Sequence, residues 1–476
     1  QTLVIGNHYH RSWDKTEDPI KKQVAILGKK GTELNFTNGD KNRPITLVGC
    51  SDSPNEDYTG WNSGYTGDAI VAEAGSRIHI EAPLRFVNGG VIAIERDDED
   101  VLANGYIKIK GDVHFERDGI IGGGYINGNV YFKQSGEIYD TADISGTVHF
   151  DNYGIFNVNE KRQQGQVIFG KAGNFYYNQI HIPETHFGLG PVTLRYRYEK
   201  DAKTGAVHTH FDSPLFGFIK VRYGGGGTYI GMSEDGKRPV EKTFRIHGGI
   251  DTLNEPVRIG MVGKNAYWHG TAAATESGSL NSRYPEQESQ YKGNLDLYLQ
   301  KGAVWDHEYV ADIGAKSLDG YRVSTVTRFH GGKNRAERGV VYQKTDKALM
   351  FHTYEGNAVF VYDRSKDNPD HVVGGNIRIW HATPGAEITL RTSAEGIDAA
   401  DRRQVETVMD NLAQKLYYQA YVGEKNTGEN GERNLKGKLE IAEGLTAVGM
   451  ERRLADIRYE IIKEEFGNYD QWWGQG

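Results

Sequence analysis

A chain of 476 residues with 56 basic and 64 acidic side chains carries a formal charge of −8, which argues against nucleic acid or an anionic membrane as main partner, because phosphate binding needs clustered positive charge. Cys50 is the single cysteine, which excludes an internal disulfide framework and a cysteine-built zinc fold, and no apolar run approaches the roughly 18 residues of a membrane helix. Glycine stands at 61 and proline at only 12, a balance that suits many tight corners in a regular backbone.

The chain opens Gln-Thr-Leu-Val without the charged and apolar regions of a signal peptide, so any such segment is expected to have been removed. Residues 1–66 are polar, with short apolar runs at Val24–Leu27 and Ile45–Val48, and read as an N-terminal cap ending in a surface loop, Ser51–Gly67. A stack of strands needs such a cap, since its open end would present unpaired backbone. His8 and His10 fall within it and are read as exposed polar surface rather than metal ligands.

Residues 67–396 hold a repeated phrase, Ile-x-Gly-x-Val-x-Phe followed after three residues by Gly. Its copies are Ile109, Gly111, Val113, Phe115, Gly119; then Ile126, Gly128, Val130, Phe132, Gly136; then Ile144, Gly146, Val148, Phe150, Gly154. An earlier copy has Ile80, Ala82, Leu84, Phe86, Gly90, and a later one Gly165, Val167, Phe169, Gly173. Alternate apolar residues project from one strand face, and successive phenylalanines stand 29, 17, 18 and 19 residues apart. A period near 18 predicts one turn of a β-solenoid, in which stacked turns bury a column of Ile, Val and Phe that no single turn could bury. An antiparallel sandwich also alternates, but does not explain one phrase at near-constant spacing. The glycine after each Phe is expected at a corner, where positive φ favours it. Arg96–Gly105, with the acidic run Asp97–Asp100, is a loop extension read as solvated rather than calcium-binding.

Residues 176–290 keep the alternation but lose the period, and are expected to be rungs carrying loop insertions. Strands are predicted at Val192–Tyr198, Phe216–Tyr223, Lys242–Ile246 and Val257–Val262, with the polar stretch Thr275–Tyr291 as the longest insertion. His208 and His210 share a strand face, with Asp212 following, and could supply part of a metal site; the reading preferred is a polar strand face. Gly224–Gly227 lacks the Lys-Ser/Thr of a phosphate loop and reads as a flexible corner. Asp306, His307 and Glu308 bring acid and imidazole together, but neighbours on a strand point to opposite faces.

Residues 397–430 change period: Val405, Val408, Met409, Leu412 and Leu416 follow helical spacing, and Asp398 is the expected N-cap. The rung phrase returns within 431–450 at Leu435, Gly437, Leu439, Ile441 and Gly444, so the helix is an excursion between two rungs. Residues 451–476 are expected to be a helical tail, with a helical pattern after Met450 through Leu454, Ile457, Ile461 and Ile462, ending as if within a longer protein.

Gly375–Thr392 (GNIRIWHATPGAEITLRT), Asp410–Tyr421 (DNLAQKLYYQAY) and Asn434–Ala447 (NLKGKLEIAEGLTA) resemble passenger regions of type V autotransporters of Gram-negative bacteria. The resemblance implies an all-β fold, a right-handed parallel β-helix, exported through the periplasm to the cell surface. It implies as partner an outer-membrane β-barrel translocator in the full-length chain. It further implies an adhesin or self-association module of the kind that drives aggregation and biofilm, binding a host glycan, a matrix protein or a sister passenger.

The Gly-Asp-Ser-Gly loop of the protease members of this family does not occur, nor does Gly-x-Ser-x-Gly or His-Glu-x-x-His. No catalytic, cofactor-binding or metal residue is therefore assigned. The rival reading is a β-helix polysaccharide lyase or glycoside hydrolase, which needs two or three carboxylates on one outward face of neighbouring rungs. The outward stripe Lys110, Asp112, His114; Asn127, Asn129, Tyr131; Ser145, Thr147, His149 holds one carboxylate in three rungs, and resembles a binding ladder more than a catalytic centre.

Overall fold

In Tyr106–Lys110, Val113–Phe115 and Gly119–Ile121 alternate side chains (Ile107, Ile109, Val113, Phe115, Ile121) are buried, and the three strands make one turn of the chain. The computed structural model describes residues 2–3, 8–9, 22–48, 68–97, 99–139, 142–157, 164–176, 180–182, 191–211, 215–216, 218–221, 225–252, 256–274, 295–308, 323–418, 434–443 and 446–453. They fall into two compact units, Gln1–Tyr198 and Glu199–Gly476, each of them a parallel β-helix.

Unit one has three faces. The first is a five-stranded parallel sheet of Glu33–Thr37, Arg77–Glu81, Tyr106–Lys110, Gly124–Asn127 and Ala142–Ile144. The second carries the Val-x-Phe triplets, and the third the strands that follow them. The repeated phrase sets the register: Val113 pairs with Val130, Val130 with Val148 and Val148 with Val167, while the phenylalanines align likewise. Their rings form one column, 86 on 115 at 4.7 Å, 115 on 132 at 4.8 Å, 132 on 150 at 5.0 Å and 150 on 169 at 5.3 Å. Those separations are close to the spacing of paired strands, so one rotamer serves every rung. Burying each Phe contributes roughly 1.5–3 kcal/mol.

The glycines of the phrase are placed differently from the corner expected of them. Gly119, Gly136, Gly154 and Gly173 lie within strands, and none is among the positive-φ residues. A Cβ on any of them would overlap the ring of the Phe four residues earlier, on Phe115, Phe132, Phe150 and Phe169 respectively. Their function is space for the aromatic column. The other phrase glycine does sit at the corner, where backbone approaches backbone: a Cβ on Gly111 would come 2.6 Å from Pro83 N, and those on Gly128 and Gly146 would overlap the carbonyl of the rung before.

Parallel strands are already present before residue 67, from Thr2–Leu3, which pairs with Ile45–Leu47. Lys22–Gly28 pairs in parallel with Asp68–Ala72, Glu33–Thr37 with Arg77–Glu81, and Ile45–Leu47 with Leu84–Phe86. Glu33–Thr37 ends its sheet with a single neighbour, and Leu34 and Phe36 remain half-exposed. The loop at 51–67 lies outside the described residues. At the other end the ladder reverses. Ala172–Phe175 pairs antiparallel with Ile180–Ile182, and Gln164–Phe169 with Val192–Lys200, so the predicted strand at 192 is real but is not a parallel rung.

Unit two starts with three-strand rungs, as in Gly225–Ile230, Phe244–His247 and Ile250–Thr252. Among the described residues its third face ends at Ala272–Ala274; later rungs pair longer strands on two faces, such as Ala348–Glu355 with Ile377–Ala382 and Asn357–Arg364 with Ala386–Ser393. Its core includes the stacked indoles of Trp268 and Trp305, 4.4 Å apart, whose N–H groups donate to Gly248 O and Gly270 O at 3.0 Å.

Helix α1, Arg402–Ala413, buries Val405, Val408, Met409 and Leu412, and separates Ala386–Ser393 from Leu435–Glu443, which pair in parallel. It is the excursion expected, with a different cap and an earlier end: Leu416, expected on the helix, begins the strand Leu416–Tyr418, which pairs in parallel with Ile377–Ala382. Asp401 accepts from Gln404 N at 3.2 Å, while the Asp398 carboxylate accepts from Ala400 N one turn too early. The predicted helical tail begins as strand: Thr446–Arg453 runs antiparallel to Leu435–Glu443, and residues 454–476 lie outside the described residues. Among the described residues no helix is long and apolar enough to cross a membrane.

Candidate functional site

Two outward surfaces gather side chains whose chemistry the fold does not require. The first is the open face of the five-stranded sheet in unit one. Its inward positions, Ile78, Ile80, Ile107 and Ile109, are core, so alternation sends Arg77, His79, Glu81, Tyr106, Lys108 and Lys110 outward. Register stacks them: Glu33 opposite Arg77 and Arg77 opposite Tyr106, with Asn35, His79, Lys108 and Tyr125 in the next column. The Arg77 guanidinium lies 4.3 Å over the Tyr106 ring, and Tyr106 lies 5.3 Å from Tyr125. Lys110 bonds Glu81 at 2.8 Å and holds its carboxyl below the usual range. Arg77, His79, Glu81, Tyr106, Lys108 and Lys110, with Glu33 and Asn35, line an open groove of about 490 Å³.

The neighbouring face of the same unit carries a ring ladder, His114 on Tyr131 at 4.5 Å and Tyr131 on His149 at 4.7 Å. The polar residues beside it serve the backbone. Asp112 Oδ1 accepts from Asn129 N, and Asn129 Oδ1 from Thr147 N, both at 2.8 Å. The single carboxylate of the predicted outward stripe is thus engaged in holding rungs together. Two acids of the run at 97–100 are also committed locally: Asp97 Oδ1 accepts from Glu99 N and Asp100 N, and Asp100 Oδ1 from Leu102 N, ordering the short 3-10 turn Val101–Ala103, while Asp98 lies outside the described residues.

The second surface is in unit two, around Asp306–His307–Glu308. Strand alternation separates them as expected. His307 points inward, fully buried, its Nδ1 bonded to Gln343 Oε1. Gln343 donates its amide to Lys347 O and Gly375 O at 3.1 Å, which leaves its carbonyl to accept from the imidazole. Among the described residues His307 Nε2 has no hydrogen-bond partner, and burial pushes the imidazole pKa down to about 4.

Asp306 and Glu308 face outward, and meet three side chains of adjacent rungs. Tyr267 Oη donates to Asp306 Oδ2 at 2.9 Å, Lys344 Nζ lies 3.0 Å from Asp306 Oδ1, and His269 Nε2 lies 3.0 Å from Glu308 Oε2. Asp306 is only 8% exposed. Burial, reinforced by the Asp306 hydrogen bond, pushes the Tyr267 phenol well up. Burial alone would lower Lys344, but its bond to Asp306 and that charge leave it raised. Sequence reading missed Tyr267, His269 and Lys344, which stand 39, 37 and 38 residues from Asp306 or its register partner. The signal available was the Tyr-Trp-His of 267–269 and Val-Trp-Asp of 304–306: aligning the tryptophans pairs His269 with Asp306.

The remaining candidates are structural. His208 and His210 do share a face, where His208 Nδ1 lies 2.9 Å from Tyr229 Oη and the His210 ring 4.8 Å from the same tyrosine; Asp212 lies outside the described residues. The expected corner at Gly224–Gly227 is instead the start of a strand, Gly225–Ile230, paired with Val257–Val262. His8 lies in a two-residue strand, and His10 outside the described residues. Comparison of the chain with protein-family models, with curated proteins and with solved structures returns no match.

Proposed function

We propose that this chain is the passenger of a Gram-negative type V autotransporter, displayed at the cell surface as an adhesin or self-association module, with an outer-membrane β-barrel translocator elsewhere in the full-length protein. The observation that carries the binding part is the groove in unit one, where Tyr106 stands among Arg77, His79, Lys108 and Lys110, with the exposed Tyr125 ring beside it. Aromatic faces suit the C–H surfaces of sugar rings, and the fixed cations suit sulfate or carboxylate groups on a glycan or matrix protein. Of the groove's carboxylates, Glu81 pairs with Lys110 and Glu33 lies 3.5 Å from His79, so Arg77 and Lys108 are the cations the groove offers to such groups.

The test is a glycan and matrix-protein array run with the purified chain, beside an aggregation assay of cells displaying it. Tyr106→Ala, on the rim of a fold whose core it leaves intact, is expected to lower attachment or aggregation at least tenfold with unchanged thermal stability. Undiminished binding by this variant would overturn the groove as the binding surface. The second reading, a polysaccharide lyase or hydrolase, is favoured by one feature: two carboxylates, a lysine and a tyrosine on neighbouring rungs around Asp306. Against it, Tyr267 and Lys344 both donate to Asp306 Oδ2, and the Lys344 ammonium lies 3.0 Å from Oδ1, so this almost fully buried carboxylate is held in an ion pair, which disfavours a free base. Turnover of uronate polymers, abolished by Glu308→Gln, would replace the adhesin reading with this one; no turnover is expected.

A further inference from the structure

Among the described residues, His269, Asp306 and Glu308 bring an imidazole nitrogen and two carboxylate oxygens within 4.8 Å of one another. The backbone dictates this meeting. His269 and Asp306 are register partners on adjacent parallel strands, so their side chains leave the same face side by side. Beyond Asp306 the chain turns tightly, Glu308 N donating to Asp306 O at 3.0 Å, and this carries the Glu308 carboxylate round to His269. Directly beneath, Trp268 and Trp305 stack at 4.4 Å with both indole N–H groups bonded to backbone carbonyls, so the strands bearing His269 and Asp306 are held at fixed separation. The Tyr267 hydroxyl orients Asp306 from one side.

We propose that His269, Asp306 and Glu308 form a binding site for a divalent transition cation of the zinc class. Zinc takes nitrogen and oxygen ligands at about 2.0–2.2 Å in tetrahedral array, which sets its ligand atoms about 3.3–3.6 Å apart. The pair His269 Nε2 and Glu308 Oε2 is already at 3.0 Å, and Glu308, on a side chain 46% exposed, has room to adjust. Three protein ligands leave the fourth position to water. One imidazole among so few oxygens excludes calcium and magnesium, which take six or more oxygen ligands.

Lys344 supplies the second half of the inference. Its ammonium lies 3.0 Å from Asp306 Oδ1 and neutralises a carboxylate that is almost fully buried. A bound dication would neutralise Asp306 and Glu308 together, and repel the ammonium. Lys344, with its side chain 40% exposed on a flexible stem, can swing into water. The ammonium and the metal are therefore competitors for one carboxylate, and removing the lysine strengthens metal binding. A purely structural ion pair makes the opposite prediction, since nothing would gain from losing it.

The experiment is titration of the metal-stripped chain with Zn²⁺ by calorimetry, with Co²⁺ absorption reporting a tetrahedral site. Saturable one-to-one binding is expected, weakened at least tenfold by His269→Ala and by Glu308→Gln, and tightened at least threefold by Lys344→Gln. His269 and Glu308 are partly exposed, so both variants are expected to fold, and circular dichroism melts check this. Absence of saturable binding would overturn the site, as would binding that survives His269→Ala, which would place the ion on other histidines. Binding left unchanged or weakened by Lys344→Gln would overturn the competition.

Discussion

At the scale of single residues, the most constrained positions are the glycines beneath the phenylalanine column. Phe132 is fully buried and its ring fills the volume where a Cβ on Gly136 would stand. Gly136→Ala is therefore expected to cost about 1–3 kcal/mol, the range of overpacked cores, despite the better intrinsic strand character of alanine. Phe132→Leu in the same chain should recover part of that loss, and a double-mutant cycle from chemical denaturation would measure it. Additive losses would mean that the ring and the glycine do not compete for space. His149 offers a pH test. Burial holds its imidazole below the ordinary 6.5, against the opposing charge of Asp151. The unfolded chain thus takes up the proton first, so the stability tied to this residue is intact above about pH 6.5 and falls as pH drops toward the lower folded value. Tyr131→Ala removes a ring stacked 4.7 Å away, and is expected to move the His149 pKa upward in an NMR titration.

At the scale of elements, helix α1 shows how an excursion can leave a stack undisturbed. Ala386–Ser393 before it and Leu435–Glu443 beyond it pair over eight residues, from Ala386 with Leu435 to Ser393 with Ala442. The helix closes against them with Val405, Val408, Met409 and Leu412. Its start is marked by two aspartates with unequal roles. Asp401→Ala removes the acceptor for Gln404 N and is expected to cost about 0.5–2 kcal/mol of helix stability, seen as faster amide exchange through residues 402–406. Asp398→Ala is expected to leave that exchange largely unchanged, because the helix-side contact of residue 398 is its backbone N–H on Gln404 Oε1. Equal effects of the two would mean that the cap is shared.

At the scale of the whole molecule, each unit is a chain of nearest-neighbour contacts. In such stacks a local fault spreads to adjoining rungs and fades with distance. Phe132→Asp places an unpaired charge between Phe115 and Phe150 and is expected to cost several kcal/mol. Hydrogen exchange should accelerate first in Val113–Phe115 and Val148–Phe150, while the strands bearing Trp268 and Trp305 keep their protection. Uniform loss of protection across both units would contradict the stacked organisation.

What the residues determined by themselves is the rung. Alternation and an 18-residue period are local properties of the chain, so Ile109, Val113 and Phe115 could be placed inward and in register with Ile126, Val130 and Phe132 before any coordinates. The change to helical spacing after residue 397 was legible for the same reason. Tertiary structure decided whatever depends on what lies above or below a residue. It turned the glycine after each Phe from a corner former into space for a ring, set parallel strands before residue 67, and closed unit one with antiparallel pairs. It also brought Tyr267, His269 and Lys344 to Asp306 and Glu308. Those residues lie on three consecutive rungs, and the loops between rungs vary in length, so spacing along the chain carries no record of who faces whom; only the hydrogen-bonded register of the strands does.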